Sequence, residues 1–436
     1  MTSGTTKVRH CKYQSLFGSL ALLLAVLTTL LFPAILLVAQ SNSPANLKPT
    51  VILISIDGFR FDYPEKAETP NLHSVIASGV RADGLIPQFP TLTFPNHYAI
   101  VTGLLPAHNG IVANTMYDPA LHALFKMTDH AQVTDSRWWG GEPIWVTAEK
   151  QGQKAATMFW PGSEAEIEGI HPTYWLPYDK EKSNAERVKQ VLDWLDLPAS
   201  QRPTLLTLYF DEVDHAGHDH GPNSTEVNNA IRDVDTAIGL LMRGLSDRGI
   251  ENRINIVIVS DHGMVETSCT RVIDLRPKLS GEHVIVGESG ALLTLYPTGT
   301  DVNSLFEKLA HIPHLTLYRS SETPLRWTYR DSPRIAPIIG VADAGWSIVT
   351  QNPSSAEAKR GCIGGKHGYD NYDPELQGIF IAHGPAFTRG ARIRPFDNVD
   401  IYSLLAYLLG IQGHSNDGSI APFRGVLQEH KCQARL

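Results

Sequence analysis

The chain has 436 residues, more than one hydrophobic core usually holds, and 42% of them are hydrophobic, as in ordinary globular proteins. With 45 Asp and Glu against 37 Lys and Arg, the net charge is -8, which excludes a broadly basic surface for nucleic acids. Recognition of a phosphate group is therefore expected to be local.

The N-terminus pairs a basic segment with a long apolar one. The basic residues lie within 1–15, and residues 16–39 carry no charge. About 20 apolar residues span a bilayer, so we predict that this segment enters a membrane. The positive-inside rule places 1–15 in the cytoplasm and the body of the chain outside it. Two interpretations stay open. One is a retained signal-anchor, and the other is a signal peptide cleaved near Ala39, which gives an exported or periplasmic protein.

Strand and helix patterns alternate along residues 46–430, which predicts one α/β catalytic domain. Short apolar runs are typical of strands buried on both faces, and the segments between them have helical spacing. The predicted strands are Val51–Ile56, Lys154–Phe159, Thr204–Phe210, Arg253–Ser260 and Gln377–Ala382. One predicted helix begins at Pro70. The other predicted helices cover Asn96–Thr102, Ser183–Leu195, Ser224–Leu245 and Val399–Leu409. This order predicts a mostly parallel sheet with helices on both faces.

The pattern changes between about 266 and 360. Here a strand at Ala291–Tyr296 is followed by a helix at Asp301–His311 and by further strands, without a cluster of acids and histidines. We predict that this segment forms a small inserted α+β lobe.

Acidic and imidazole side chains follow three of the predicted strands. Because the carboxyl ends of parallel strands meet at one edge of a sheet, these side chains are expected to lie together. They are Asp57 after the first strand, Asp214 and His218 after the third, and Asp261 and His262 after the fourth. His367 lies in a glycine-rich loop, where tight turns are easy, and is expected to join them.

This combination of residue types predicts a metal centre. A single aspartate after a strand is usually a helix cap or a solvated turn, and a lone histidine is usually a loop residue. Three aspartates and three histidines together form a mixed nitrogen and oxygen set that suits zinc. Two such groups hold two ions about 4 Å apart in enzymes that displace a group at phosphorus.

The segment Phe89–Tyr98 supplies a candidate nucleophile. Pro95 marks the expected start of a helix, so the hydroxyl of Thr93 is predicted to lie at the positive end of the helix dipole, a favourable place for a phosphoryl oxyanion. A threonine hydroxyl becomes a good nucleophile when it binds a metal. Two alternatives remain: Thr93 is simply the helix N-cap, or Thr91 is the reactive hydroxyl.

Several short motifs carry a resemblance to a known family. They occur in the order Asp57–Arg60, Thr93–Tyr98, Asn114–Asp118, Gly141–Trp145, Trp160–Ser163, Ser260–Met264 and His367–Gly368. Over residues 50–425 the chain resembles the nucleotide pyrophosphatase/phosphodiesterase family of the alkaline phosphatase superfamily.

The resemblance implies a role for each matching residue. It implies that one zinc is held by Asp57, Thr93, Asp261 and His262, and a second by Asp214, His218 and His367. Thr93 is implied as the nucleophile and Asn114 as a hydrogen-bond donor to a phosphate oxygen. Phe94 and Tyr178 match the aromatic pair around a nucleobase, and Tyr209 is expected to line the same pocket.

The implied enzyme is a two-zinc hydrolase that cleaves phosphodiester or pyrophosphate bonds of nucleotides through a threonyl-nucleotide intermediate and releases a nucleoside 5′-monophosphate. Gly140 stands where some members carry a lysine, so the choice between triphosphates and dinucleotides stays open. The alternatives are a choline-lipid phosphodiesterase, with Glu142, Tyr174 or Trp175 in a cage for the ammonium group, a phosphomonoesterase, and an anchored binding protein without catalysis.

Overall fold

The computed structural model describes residues 1–2, 47–352 and 364–428. The chain divides into two units. The first contains Lys48–Leu197 and Arg202–Leu436, and the second contains Met1–Leu47 and Pro198–Gln201. The sheets and helices described below belong to the first unit. The predicted membrane or signal segment, 16–39, lies outside the described residues. Within the described part of the chain, no helix combines the length and the apolar character needed to cross a bilayer.

The secondary structure alternates along the chain. The strands are β1 Thr50–Ile56, β2 Val80–Ala82, β3 Leu85–Ile86, β4 Thr115–Asp118, β5 Ala123–Lys126, β6 Ala155–Met158, β7 Tyr174–Trp175, β8 Leu205–Phe210, β9 Ile254–Val259, β10 Val265–Thr267, β11 Val272–Asp274, β12 Val284–Val286, β13 Leu292–Pro297, β14 Leu315–Arg319, β15 Ile338–Ala342, β16 Ser347–Val349, β17 Gly364–Lys366, β18 Phe380–His383, β19 Ala391–Ile393 and β20 Phe396–Asp397. The α-helices are α1 Pro70–Ala77, α2 Thr93–Thr102, α3 Pro106–Asn109, α4 His130–Val133, α5 Ile144–Lys150, α6 Asn184–Leu195, α7 Glu212–His220, α8 Thr225–Asp247, α9 Arg276–Leu279, α10 Val302–Leu309 and α11 Asp400–Leu409.

The largest sheet has eight strands in the order β19-β2-β18-β9-β1-β8-β6-β7. From β9 to β7 neighbouring strands are parallel, whereas β18 is antiparallel to both β9 and β2. The predicted α/β class is therefore confirmed, and the sheet is mixed. An apolar run such as β18 does not record the direction of its strand, so this reversal was not visible in the sequence.

Both faces of the sheet are covered. All seven residues of β1 are buried. Val51 and Leu53 join one hydrophobic cluster with residues of α2, α5 and α11, while Ile52 and Ile54, which point to the opposite face, are equally inaccessible. This double burial explains why β1 has a continuous apolar sequence rather than an alternating one.

A second sheet forms within the segment that was predicted as an inserted lobe. Its four strands, in the order β12-β13-β15-β14, are antiparallel. Residues of β13, β15 and α10 share a separate hydrophobic cluster. β17 pairs with β10, so Gly364–Lys366, predicted as part of a loop, form a short strand that ends immediately before His367.

Candidate active site

Three adjacent strands deliver acidic residues to one edge of the large sheet. β1 lies between β8 and β9, with Ile56 opposite Phe210 and Ser55 opposite Val259. Asp57 and Asp261 therefore emerge side by side just beyond the strand ends. The Asp57 amide donates to the Phe210 carbonyl at 2.9 Å, which extends the ladder to the site itself.

Helix α7 brings Asp214 and His218 to the same edge. The two residues are four apart on the helix, and Asp214 Oδ2 lies 3.4 Å from His218 Nε2. The helix was not predicted, because Glu212–His220 is largely polar and has little apolar periodicity. Gly58 permits the close approach: its φ is +65°, and a Cβ there would lie 3.0 Å from Asp214 Oδ1.

The three aspartates are buried, and each has one oxygen that receives no hydrogen bond. These oxygens are Asp57 Oδ1, Asp214 Oδ1 and Asp261 Oδ2. Two of the other carboxylate oxygens receive hydrogen bonds. Tyr209 donates its hydroxyl to Asp57 Oδ2 at 2.6 Å, and the Gly58 amide donates to Asp261 Oδ1 at 3.2 Å. Buried anionic oxygens without donors are costly unless a cation neutralises them.

The three histidines present nitrogen lone pairs to the same space. Each holds its Nδ1 against a backbone carbonyl: His218 against Gly365 at 2.8 Å, His262 against Gly263 at 3.0 Å and His367 against Thr91 at 2.8 Å. A carbonyl only accepts, so Nδ1 carries the hydrogen and Nε2 keeps its lone pair. His218 Nε2 and His367 Nε2 then face each other at 3.0 Å. This is the arrangement of imidazoles that ligate a metal and are oriented by outer hydrogen bonds.

The ligand atoms form two neighbouring groups. One contains Asp214, His262 and His367, and the other contains Asp57, His97 and Asp261. His262 adjoins both, because its Nε2 lies 2.9 Å from Asp261 Oδ2 and 3.7 Å from Asp57 Oδ1. Two candidate metal positions are thus present, and the chemistry of the donors fits divalent cations.

His97 was missed as a site residue. It is fully buried, and its Nδ1 lies 2.9 Å from the Thr93 carbonyl and 3.3 Å from Asp261 Oδ2. Its Nε2 lies 2.7 Å from Ser55 Oγ. The carbonyl fixes the hydrogen on Nδ1, and the serine hydroxyl then donates to Nε2, so neither nitrogen has a lone pair left for a metal. We therefore assign His97 to holding the start of α2 through the Thr93 carbonyl, and we expect His262 rather than His97 to be the metal ligand.

The electrostatics of the site follow from burial and crowded charge. Burial, together with the carboxylates of Asp261 and Asp214, raises the pKa of Asp57 well above its ordinary value. Burial and the neighbouring imidazoles of His262 and His218 hold the pKa of His367 well below its ordinary value, which keeps it neutral. Although burial acts the other way, His262 and His97 hold the pKa of Asp261 well below the usual range.

Thr93 is the first residue of α2, and Leu92 is its N-cap. The helix begins before Pro95, earlier than predicted, and Thr93 is not the cap. Its Oγ1 lies 3.3 Å from His262 Nε2, at the end of the helix where the dipole is positive. The Thr91 hydroxyl has other partners, since it accepts the Gly368 amide at 2.8 Å and donates to the Tyr369 carbonyl at 3.1 Å.

Asn114 lies beside the nucleophile segment. Its Oδ1 accepts the Phe94 amide at 2.9 Å. This bond fixes the orientation of the side-chain amide, so that Nδ2 is left as a donor.

The predicted aromatic residues occupy different surroundings. Phe94 packs against Phe125 and Trp139, each at a ring distance of 5.9 Å. Tyr178 is 46% exposed, and its ring lies 6.3 Å from that of Tyr209. Tyr209 directs its hydroxyl to Asp57, so this residue supports the acidic cluster as well as adjoining Tyr178.

Comparisons with known proteins identify the family of the chain. Residues 51–370 match the family model described as type I phosphodiesterase/nucleotide pyrophosphatase. An uncharacterized pyrophosphatase/phosphodiesterase of Schizosaccharomyces pombe is 38% identical, over 91% of this chain and 85% of the relative. Human ectonucleotide pyrophosphatase/phosphodiesterase family member 5 is 36% identical, over 89% and 81%. Mouse family member 1 is 37% identical, but the matched region is 43% of its length.

A solved structure gives the same result for the fold. Murine ectonucleotide pyrophosphatase/phosphodiesterase 5, an inactive threonine-to-alanine variant in complex with AMP, superimposes with a TM-score of 0.82 at 36% identity, and the match covers 87% of this chain and all of that one. The family prediction is confirmed: the chain is an enzyme of the type I phosphodiesterase/nucleotide pyrophosphatase family.

Proposed function

We propose that this chain is a two-zinc hydrolase that cleaves nucleotide phosphodiester or pyrophosphate bonds through a covalent bond to Thr93. The observation that carries the proposal is the convergence beside Thr93 Oγ1 of three buried carboxylate oxygens without donors and three imidazole Nε2 atoms whose Nδ1 hydrogens are held by carbonyls.

The residues divide into two ligand sets. Asp57, Asp261 and His262, with Thr93, would hold one zinc, and Asp214, His218 and His367 would hold the other. Bound zinc would supply a Lewis acid that lowers the pKa of the nucleophile and offsets the charge on phosphorus. The mixture of imidazole and carboxylate favours zinc over magnesium or calcium.

The chain's own groups carry out the substitution. Thr93 loses its hydroxyl proton to water, Oγ1 attacks phosphorus in line, an oxygen–phosphorus bond forms, and the bond to the leaving oxygen breaks. Asn114 Nδ2 donates to a non-bridging oxygen as its charge increases. The nucleotidyl-threonine is then hydrolysed by water, and the nucleoside 5′-monophosphate is released. The murine relative in complex with AMP has a ligand of this product class.

Base recognition is assigned to the aromatic side chains near the entrance. Tyr178 is half-exposed, and its hydroxyl donates to the buried carboxylate of Asp211, which also binds Arg187 at 2.8 Å. This anchoring presents one ring for stacking on a nucleobase. Phe94 follows the nucleophile directly and is proposed as the second ring.

The choline-lipid alternative is less well supported. Glu142 is bound to Lys150 at 2.7 Å, which neutralises the anion that an ammonium cage needs. Trp175 stacks on His171 at 5.0 Å and Tyr174 on Trp194 at 6.3 Å. Trp175 and Tyr174 thus each use one ring face on a neighbouring ring, and that face is not available to an ammonium group.

A substrate panel tests the proposal. The purified full chain is assayed with and without zinc for AMP from ATP, phosphocholine from glycerophosphocholine, and p-nitrophenol from the bis and mono p-nitrophenyl phosphates. We expect AMP release and faster cleavage of the diester. Faster cleavage of the monoester indicates a phosphomonoesterase, dominant phosphocholine release indicates the lipid enzyme, and no turnover with bound zinc indicates a binding protein.

The predicted location follows the same proposal. Residues 1–15 are assigned to the cytoplasm and the catalytic body to the outside of the membrane, in accord with the prefix ecto in the names of the human and mouse relatives. Protease added to intact cells would digest the body if the assignment holds and would leave it untouched if the body is cytoplasmic.

A further inference from the structure

We propose that Glu288, in the segment between β12 and β13, is a positioning residue that aligns Asn114 for catalysis. The inference rests on the proposed function, because Asn114 matters only as a donor to the phosphate. Glu288 lies 174 positions after Asn114 in the sequence and belongs to the hairpin of the second sheet. Neither residue type nor spacing points to this pairing.

The contact joins the Glu288 carboxyl group to a backbone amide, and it is charged above about pH 7. The Thr115 amide, which belongs to the peptide bond between Asn114 and Thr115, donates to Glu288 Oε1 at 2.5 Å. Hydrogen bonds to a carboxylate are shorter and about twice as strong as those between neutral groups. The peptide group that joins Asn114 to Thr115 is thus held by one side chain.

The rest of Asn114 is held by backbone groups. Its carbonyl accepts the Met127 amide at 2.9 Å, and its Oδ1 accepts the Phe94 amide at 2.9 Å. Glu288 holds the amide of the peptide that follows Asn114, the backbone just after β5 holds its carbonyl, and α2 holds its side-chain oxygen, so Nδ2 has a fixed direction. Removal of the Glu288 carboxylate would release the side of Asn114 that faces the second sheet.

Glu288 is itself fixed by its own hairpin. Its amide donates to Thr294 Oγ1 at 2.7 Å, and its carbonyl accepts the Thr294 amide at 3.2 Å. Gly287 lets the two backbones approach, since a Cβ there would lie 2.8 Å from the Thr115 carbonyl oxygen. The rings of Tyr117 and Tyr296, 5.8 Å apart, join β4 to β13 in the same contact.

Removing the Glu288 carboxylate from water costs free energy. Burial raises the pKa of the Glu288 carboxyl to about 7, although the hydrogen bond from the Thr115 amide lowers it. An uncharged glutamine of the same shape would avoid the cost of desolvation but would give a weaker acceptor. The carboxylate is therefore a stronger acceptor for the Thr115 amide than a glutamine side chain would be.

A double-mutant cycle tests the inference. Glu288→Gln, Asn114→Ala and the double variant of the full zinc-loaded chain are assayed with the p-nitrophenyl ester of thymidine 5′-monophosphate. We expect Asn114→Ala to lower kcat by about 100-fold or more. Glu288→Gln is expected to lower kcat about tenfold, with KM within about twofold, because only the donor's alignment is lost. In the Asn114→Ala background Glu288→Gln should have almost no effect.

Controls separate the outcomes. Glu282→Gln, which changes a carboxylate of the same lobe that binds Lys308 and Thr300, should leave kcat unchanged. Wild-type kcat in Glu288→Gln, or losses that multiply in the double variant, would overturn the inference and leave the proposed function intact. A wild-type rate in Asn114→Ala would overturn the inference together with the role of Asn114. If Glu288→Gln does not fold, Glu288→Asp, which keeps the charge and shortens its reach, is used in the same cycle.

Discussion

At the scale of single residues, the chemistry depends on which hydroxyl is free to react. Thr93 Oγ1 faces His262, whereas the Thr91 hydroxyl is used by the backbone of Gly368 and Tyr369. Both were candidates in the sequence, because two threonines two residues apart in one motif are equivalent until their partners are known.

Thr93→Ala is expected to keep the fold and to lower kcat at least about 10³-fold, because no other hydroxyl can form the bond to phosphorus. Thr93→Ser keeps the hydroxyl and should retain more activity. Thr91→Ala is the matched control and should mainly lower the melting temperature. Steady-state kinetics and thermal melts check these outcomes. If Thr91→Ala lowered kcat as much as Thr93→Ala, the assignment of Thr93 rather than Thr91 as the nucleophile would be contradicted.

His97 and His262 provide a second comparison between neighbouring residues. His262→Ala should lower the zinc content of the purified chain, because its Nε2 faces the carboxylates. His97→Gln should retain the zinc and cost about 1–3 kcal/mol of stability, since it removes buried hydrogen bonds. Metal analysis alongside thermal melts measures both effects. Loss of zinc in His97→Gln alone would show that His97 is the ligand.

At the scale of elements, apolar runs in the sequence predicted the strands correctly, whereas polar segments did not reveal the helix and the strand that they form. β1, β8 and β9 lie within one residue of their predicted ends, because strands buried on both faces have a continuous apolar sequence. Helix α7, which carries two site residues, has no apolar stripe to reveal it. β17 consists of two glycines and a lysine, a composition typical of loops.

The turn after β1 is expected to be intolerant of a side chain. Gly58→Ala should cost about 1–2 kcal/mol from its positive φ and should also lower zinc affinity, because the new Cβ displaces Asp214. Gly152→Ala is a matched control: its φ is +75° with nothing within 4 Å of the added Cβ. Zinc titration of the two variants compares them. Equal zinc affinity would contradict the proposed contact with Asp214.

The start of α11 should make stability depend on pH. Burial, and to a lesser degree Asp397, raises the pKa of Asp400 to about 6, against 3.8 for an ordinary aspartate. The folded chain therefore binds this proton more tightly than the unfolded chain, and its stability falls as pH rises from about 4 to about 6.

Asp400→Asn keeps an acceptor for the Ser419 amide, 2.7 Å away in the native chain. The variant should be more stable than the native chain by on the order of 1–2 kcal/mol at pH 7.5, and the difference should vanish near pH 4. Denaturant unfolding at the two pH values measures this difference. A constant difference at both values would show that Asp400 does not titrate as described.

At the scale of the whole molecule, the site joins strand ends, a polar helix and a hairpin of the second sheet. The α/β class and the meeting of Asp57 and Asp261 at one edge could be predicted, because parallel strands place their carboxyl ends together. The tautomer of His97 and the contact of Glu288 with the peptide after Asn114 could not be predicted, because both depend on backbone groups brought together by the fold.

The cations are expected to stabilise the molecule as well as to support turnover. A chelator should abolish activity and lower the melting temperature, since a ligand at about 100 times its Kd contributes about 2.7 kcal/mol. Added zinc should restore both. In Asp214→Asn the change in melting temperature on chelation should be smaller. Calorimetry with parallel assays checks this, and an active chelated chain would argue against metal dependence.

Anomalous diffraction at the zinc edge, from crystals of the zinc-loaded chain, would show directly whether the acidic and imidazole groups bind two cations. We expect two peaks near Thr93, one bound by Asp57, Asp261 and His262 and the other by Asp214, His218 and His367. The absence of peaks at these residues, or a peak bound by His97 in place of His262, would contradict this expectation.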